Sequence, residues 1–223
     1  MPLLLTSING NPNIGLYGFA NSSFALLGNE VSQSTAEEIA KVLKVRVHRM
    51  TIAGTPLVGA FVAGNDHNIV VPDIIFDSEL RTLDRADIPY KIIPTKLTAL
   101  GNNILCNNQG ALVHPEFSAD VKKMIRQALA VTLHPGTIAE IPTVGSVGIG
   151  NRWGILLHRD ATKAEQQHVQ TLFGVPCETA TINRGSPYLR SGVICNDQGM
   201  VVSDQSWGPE IGFIDESLFL RKQ

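Results

Sequence analysis

The stretch TALGNNILCNNQGALVHPE, residues 98–116, sets two apolar runs, Ile104–Cys106 and Ala111–Val113, on either side of Asn107-Asn-Gln-Gly110. A type I turn accepts Asn at its first position, where the side chain can bond backbone two residues on. It favours Gly at its fourth, where a hairpin needs φ > 0. The stretch therefore reads as two paired strands joined by a tight turn. Four other segments carry the same shape, with turns at Asn21, Asn65, Asn151 and Asn196, so that the five turn residues are spaced 44, 42, 44 and 45 apart. Six residues before the turn stand Gly15, Gly59, Gly101 and Gly145, with Arg190 as the exception; three residues after it stand Gly110, Gly154 and Gly199, with Phe24 and Asn68 as departures. A period of this length across the whole chain means a repeat architecture.

Thr51, Thr95, Thr137 and Thr181 mark the same register from the far side of each unit. A fifth Thr would fall past the chain end, yet Thr6 lies before Asn21 in the equivalent place, and TSINGN resembles TINRGS after Thr181. The missing piece of the last unit is thus expected at the N-terminus, which closes a ring and leaves no exposed sheet edge. Between hairpin and Thr, each unit holds a helical pattern and a further strand. Ser34-Thr-Ala-Glu37 and Thr162-Lys-Ala-Glu165 fit capping boxes, Gly174 suits a helix end, and Pro209 suits the first turn of the last helix. The short runs VRVHR, YKIIP, VTLHP and CETAT read as the third strands. The expected architecture is α/β: a five-bladed αβ propeller of five ββαβ repeats in a closed ring with pseudo-fivefold symmetry, forming a single domain over residues 1–223.

Composition bounds the function. Apolar residues make up 43%, enough for a substantial core, and the net charge of −2 lacks the Lys/Arg excess of a protein held by many phosphate contacts. MPLLL is too short for a signal peptide and no run could span a bilayer, so a cytoplasmic protein is expected. Three widely spaced cysteines, Cys106, Cys177 and Cys195, give neither a disulfide framework nor a metal pattern. The six histidines lack ligand spacing, and no metal or cofactor is expected. VGSVGIGNRWG is glycine-rich but is itself a hairpin, which excludes a dinucleotide loop. Asp77, Glu79, Asp84 and Asp87 surround a short helix and read as a solvated acidic face.

Five-bladed αβ propellers of this unit type resemble the pentein superfamily, which includes deiminases and amidinotransferases acting on guanidines through a late Cys, a His and acidic residues. Cys195 and His114 are the residues such a reading would use. Cys106 occupies the same register as Cys195, however, and His114 the same register as His158, each pair seated alike about its turn. Matching register favours packing roles over a nucleophile and a base.

The strings themselves resemble a narrower family. IAG at residues 52–54, LVG at 57–59, ALGN at 99–102, ALVHPE at 111–116, VGS at 144–146 and NRGS at 183–186 are similar to the translation initiation factor 6 family, in its shorter archaeal form. Arg190 and the IAEIP before the fourth hairpin read as local variations. The resemblance implies a monomeric ribosome anti-association factor without catalytic residues. It would bind the large ribosomal subunit against the L14-type ribosomal protein, near the sarcin–ricin loop of the large rRNA, and block joining of the small subunit. A role in ribosome biogenesis goes with it. The blade-start residues Asn102 and Ser146, with Asn183, Arg184 and Tyr188 before the fifth hairpin, are the expected ribosome-binding residues. A guanidine-modifying enzyme of the same fold is the alternative.

Overall fold

The protein was analysed as a computed structural model that describes residues 2–220. Its strands form five three-stranded sheets, each a hairpin whose second strand also pairs in parallel with a third. Blade 1 is Gly18–Ala20, Phe24–Gly28 and Arg46–Met50, and blade 2 is Ala63–Gly64, Ile69–Pro72 and Tyr90–Ile93. Blade 3 is Ile104–Cys106, Gly110–Val113 and Thr132–Pro135, and blade 4 is Gly148–Gly150, Ile155–His158 and Cys177–Ala180. Blade 5 joins Val193–Cys195 and Met200–Ser203 to Leu3–Thr6 from the start of the chain, with Leu3 opposite Met200 and Thr6 opposite Ser203. The helices Gln33–Leu43, Asp77–Arg85, Ala119–Leu129, Lys163–Phe173 and Gly208–Asp215 follow the five hairpins in turn. The molecule is a five-bladed αβ propeller whose fifth blade is completed by the first strand.

The core lies between blades rather than within them. Phe19, Phe24 and Leu26 of blade 1 pack with Ile69, Val71 and Leu83 of blade 2. Ile194 and Val201 of blade 5 pack with Ala25, Leu27 and Ile39 of blade 1, so the same arrangement crosses the seam of the ring. A three-stranded sheet with one helix cannot cover both its faces, and each blade buries its second face on a neighbour. The second hairpin strands are buried on both sides as a result, which is why FALLG, IVVP, GALV, ILLH and MVVS show no polar alternation.

The turns depart from expectation in one respect. The asparagine side chain closes each of them: Asn107 Oδ1 accepts from Gln109 N and Gly110 N, at 2.9 and 3.0 Å. The glycine three residues on, however, is not in the left-handed region. The positive-φ glycines are Gly10, Gly54, Gly174 and Gly185. Gly110, Gly154 and Gly199 are required for close approach instead, since a Cβ on them would lie 2.3 Å from Leu172 O, 2.4 Å from Ser217 O and 2.2 Å from Val42 O, each in the next blade's helical segment.

Helix capping follows the sequence at Thr162–Glu165 and at Gly174, whose φ of 65° is left-handed. In blade 1 the cap lies earlier than expected: Ser32, not Ser34, accepts from Thr35 N, while Glu37 bonds Gln33. Both serines can serve, and the helix takes the one that lengthens it by two residues, Gln33 and Ser34.

Candidate functional site

The first hairpin strands of all five blades line the pseudo-fivefold axis, and the residues just before them form one of its mouths. The glycines six positions ahead of the turns meet there in a ring. A Cβ on Gly59 would fall 1.9 Å from Gly15 O, one on Gly101 2.1 Å from Gly59 O, and one on Gly145 2.2 Å from Gly101 O. Gly15 faces Arg190 O at 1.8 Å by the same measure. Only glycine permits backbones this close. Arg190, the one non-glycine in the ring, sends its side chain across the axis. Its Nη2 donates to Gly59 O at 3.3 Å and Val62 O at 3.1 Å, and its Nε to Gly59 O at 3.4 Å. Arg190 thereby separates the mouth from an inner cavity of about 60 Å³ that Cys106 and Cys195 also line.

At the mouth itself the residues following the ring glycines come together. Asn102 and Ser146 line one depression with Asn13, Ser186, Tyr188 and Arg190. Three of the residues anticipated from the sequence, Asn102, Ser146 and Tyr188, are therefore neighbours although far apart in the chain. Tyr188 is 48% exposed. Ser146 Oγ donates to Thr143 O at 2.7 Å, whereas the Asn102 amide has no protein partner among the described residues.

Asn183 and Arg184 do not line this depression. They lie at φ 50° and 62° in a turn closed by the bridge between Ile182 and Ser186. Glu210 holds that turn by accepting from Arg184 N, Gly185 N, Trp207 N and Thr181 Oγ1. Arg184 Nε donates to Gln205 O, and Asn183 Nδ2 reaches Pro12 O. The exposed Trp207, which the sequence reading passes over, shares Glu210 with this turn and so stands beside it. The same clamp recurs at Glu79, which accepts from Thr51, Ala53 N, Gly54 N and Phe76 N. Glu79 is only 5% exposed, which corrects its reading as part of a solvated acidic face: the third residue of the helix turns back to cap its own N-terminus and the preceding loop. Burial alone would raise the carboxyls of Glu79 and Glu210, but the converging donors hold both below the usual carboxylate range.

The opposite mouth is built by the turn asparagines. Each hairpin is closed by the asparagine Oδ1, which leaves the main-chain carbonyl for the blade before it. Asn21 Nδ2 donates to Asn65 O at 3.0 Å, Asn65 Nδ2 to Asn107 O at 3.2 Å, Asn151 Nδ2 to Asn196 O at 3.2 Å, and Asn196 Nδ2 to Asn21 O at 3.0 Å. Asn107 Nδ2 instead takes Phe173 O in the next blade. The next residues, Ser22, Asp66, Asn108, Arg152 and Asp197, continue the linkage at the rim.

The thiols are not poised for chemistry. Burial pushes Cys106 up to about 11 and Cys195 up to about 12, and the Arg190 guanidinium offsets this only in part. A nucleophilic cysteine needs the opposite shift. Cys195 Sγ faces Gly150 O, while His114 Nδ1 and His158 Nδ1 accept from the backbone of Glu116 and Asp160 in their own loops. Their matched registers carry matched structural roles.

The eIF-6 family model matches residues 3–217. Translation initiation factor 6 of Saccharolobus islandicus is 37% identical over 221 residues, covering 98% of this chain and 99% of that one. The proteins of the same description from Staphylothermus marinus and Thermococcus onnurineus are each 36% identical, over 95% and 93% of this chain and 95% and 94% of theirs. Among solved structures, a DDAH from Pseudomonas aeruginosa, a cysteine-to-serine mutant complexed with citrulline, superposes with a TM-score of 0.48 at 13% identity, covering 75% of this chain and 68% of that one. With matches that run through the first strand, all five hairpins and the last helix, the chain belongs to the eIF-6 family.

Proposed function

We propose that this protein binds the large ribosomal subunit through the axial mouth that carries Asn102, Ser146 and Tyr188, and thereby keeps the small subunit from joining. The observation that carries the reading is the meeting of these residues, contributed by separate blades, on one exposed face of a chain from a translation-factor family. The L14-type ribosomal protein and the neighbourhood of the sarcin–ricin loop are the partners the family implies, and the cytoplasm is where they would be met. The action is steric. A rigid disc that occupies the intersubunit face lowers the concentration of free large subunits by the factor 1 + [L]/Kd, with no reaction catalysed. The near-neutral charge suits a contact made mainly with protein, and the buried, protonated thiols suit a protein that is not an enzyme.

Sedimentation with purified subunits tests this. The protein is expected on the large subunit alone, and it should lower the yield of joined ribosomes in proportion to the fraction of large subunits occupied. Tyr188→Ala, at the mouth, combined with Arg184→Ala, in the turn that precedes it, should weaken binding by roughly 1–4 kcal/mol, the range for truncated interface anchors, with Tyr188 carrying most of the loss. Association with the small subunit only, or with neither, would refute the function.

A further inference from the structure

Arg190 is a half-buried cation without an anion. Among the described residues no carboxylate lies within ion-pair distance of it. Its partners are two main-chain carbonyls, which engage Nε and Nη2 and leave Nη1 with no protein acceptor. Taking a guanidinium out of water is costly unless its remaining donors are met, and no acceptor among the described residues meets Nη1. The depression above it measures about 410 Å³ and has no acidic residue in its lining. Several of its polar groups are already committed, since Ser146 Oγ donates to Thr143 O and Ser191 Oγ to Tyr188 O. Three are not. Among the described residues the Asn102 amide and the Tyr188 hydroxyl have no partner, and Ser186 Oγ accepts from Tyr188 N, which leaves its own proton to give.

A guanidinium, an amide and a hydroxyl, contributed by blades 3 and 5 and the loop between blades 4 and 5, thus line one depression and offer it donors and a single positive charge. We propose that this depression is a binding site for a terminal phosphate group, either free inorganic phosphate or the end of a phosphate monoester. It would be held by Arg190 Nη1, Asn102 Nδ2 and Ser186 Oγ. Guanidinium and phosphate form short, charge-assisted hydrogen bonds. The depression opens at one end of the axis, so a ligand can enter end-on. A terminal phosphate can turn three oxygens to the floor and leave its ester arm along the axis. A backbone diester has two free oxygens and two arms to pass by the rim, and it carries half the charge.

Phosphate binding by the free protein does not require the ribosome, so the two readings fail separately. The experiment is calorimetric and thermal titration of the full chain with sodium phosphate at pH 7.5, against sodium chloride of matched ionic strength. Saturable binding with a rise in melting temperature is expected. Arg190→Ala and, independently, Asn102→Ala should each weaken it, the first at least tenfold, while Arg190→Lys retains part of it. The arginine variant places a small residue where four blades carry glycine, and the Asn102 variant leaves the axial plug in place. Together they keep the test independent of any effect on folding. Dimethyl phosphate should bind at least tenfold more weakly than inorganic phosphate. No saturable phosphate binding by the unmodified protein, equal binding by both variants, or equal binding of the diester would overturn the proposal.

Discussion

Replacing Asn65 probes the idea that turn chemistry and ring cohesion reside in the same side chain. Asn65 is 5% exposed and uses its whole amide. Oδ1 accepts from His67 N and Asn68 N at 3.0 and 3.2 Å, closing its own hairpin. Nδ2 donates to Asn107 O and Leu129 O at 3.2 and 2.9 Å, in the neighbouring blade. Asn65→Ala removes all four bonds and strands two amides and two carbonyls. Each intramolecular bond contributes about 1 kcal/mol net, and a buried group left unsatisfied costs about 1–3 kcal/mol. Water can reach some of these groups at the rim, so a loss of about 3–5 kcal/mol is expected. Asn65→Asp separates the two functions. It keeps both acceptors for the turn but sets a negative charge against two carbonyls, so it should destabilise by a similar amount at neutral pH. The penalty should shrink as the pH falls and the acid is protonated, because the repulsion raises the folded-state pKa of the new carboxyl. Asn107→Ala, which loses a single inter-blade bond to Phe173 O, should cost less than Asn65→Ala. Urea denaturation at pH 7.5 and pH 4.5 measures all three. A loss below about 1 kcal/mol for Asn65→Ala would refute the reasoning, since that is the worth of one ordinary hydrogen bond.

Three further outcomes are expected. Gly101→Ala should destabilise by about 3 kcal/mol or more, because its Cβ would meet Gly59 O and Val62 O rather than a yielding side chain, whereas Gly212→Ala, with no atom near its Cβ, should stabilise by about 0.5–1 kcal/mol in the same denaturation assay. Glu79→Gln should cost about 1.5–3 kcal/mol at neutral pH, and because the folded-state carboxyl lies below the usual carboxylate range, the gap from the unmodified protein should hold above that range and close as the pH falls through the depressed value, read from melting temperature against pH. Cys106 and Cys195 should resist alkylation in the native protein at pH 8 and react fully in denaturant, with rapid native labelling as the contrary result.

Much of the fold is legible in the sequence because its signals are local. An asparagine that bonds the amides two and three residues on is recognisable from four residues, and repetition of those four residues gives the number of blades. The first and fourth helices are legible for the same reason, from polar residues at their starts, and the last from Pro209 in its first turn. The glycines are legible as positions but not as causes. Gly101 and Gly110 look alike on paper, yet one faces a backbone across the axis and the other a helix end in the next blade. Glu79 is misread for a related reason: a carboxylate at the third position of a short helix looks exposed until the loop it folds back upon is in view. At the candidate site, Asn102 and Ser146 could be picked out by their place in the repeat, and Tyr188 by its aromatic side chain in the loop before the fifth hairpin. Arg190 could not, because its importance comes from what the other four blades leave out. Its one visible signal is a long cation where glycine stands four times.

That contrast bears on how a repeated unit can diversify. On the rim of the ring, five copies can differ independently, since each side chain has its own solvent. On the axis they compete for one volume. Were any second blade to carry a long side chain beside Arg190, it would meet both a carbonyl within bonding distance of its own Cβ and a guanidinium already across the centre. A second positive charge there would add repulsion to the crowding. The axis can therefore hold a single exception to the symmetry, and whichever blade supplies it sets the chemical character of the centre for all five.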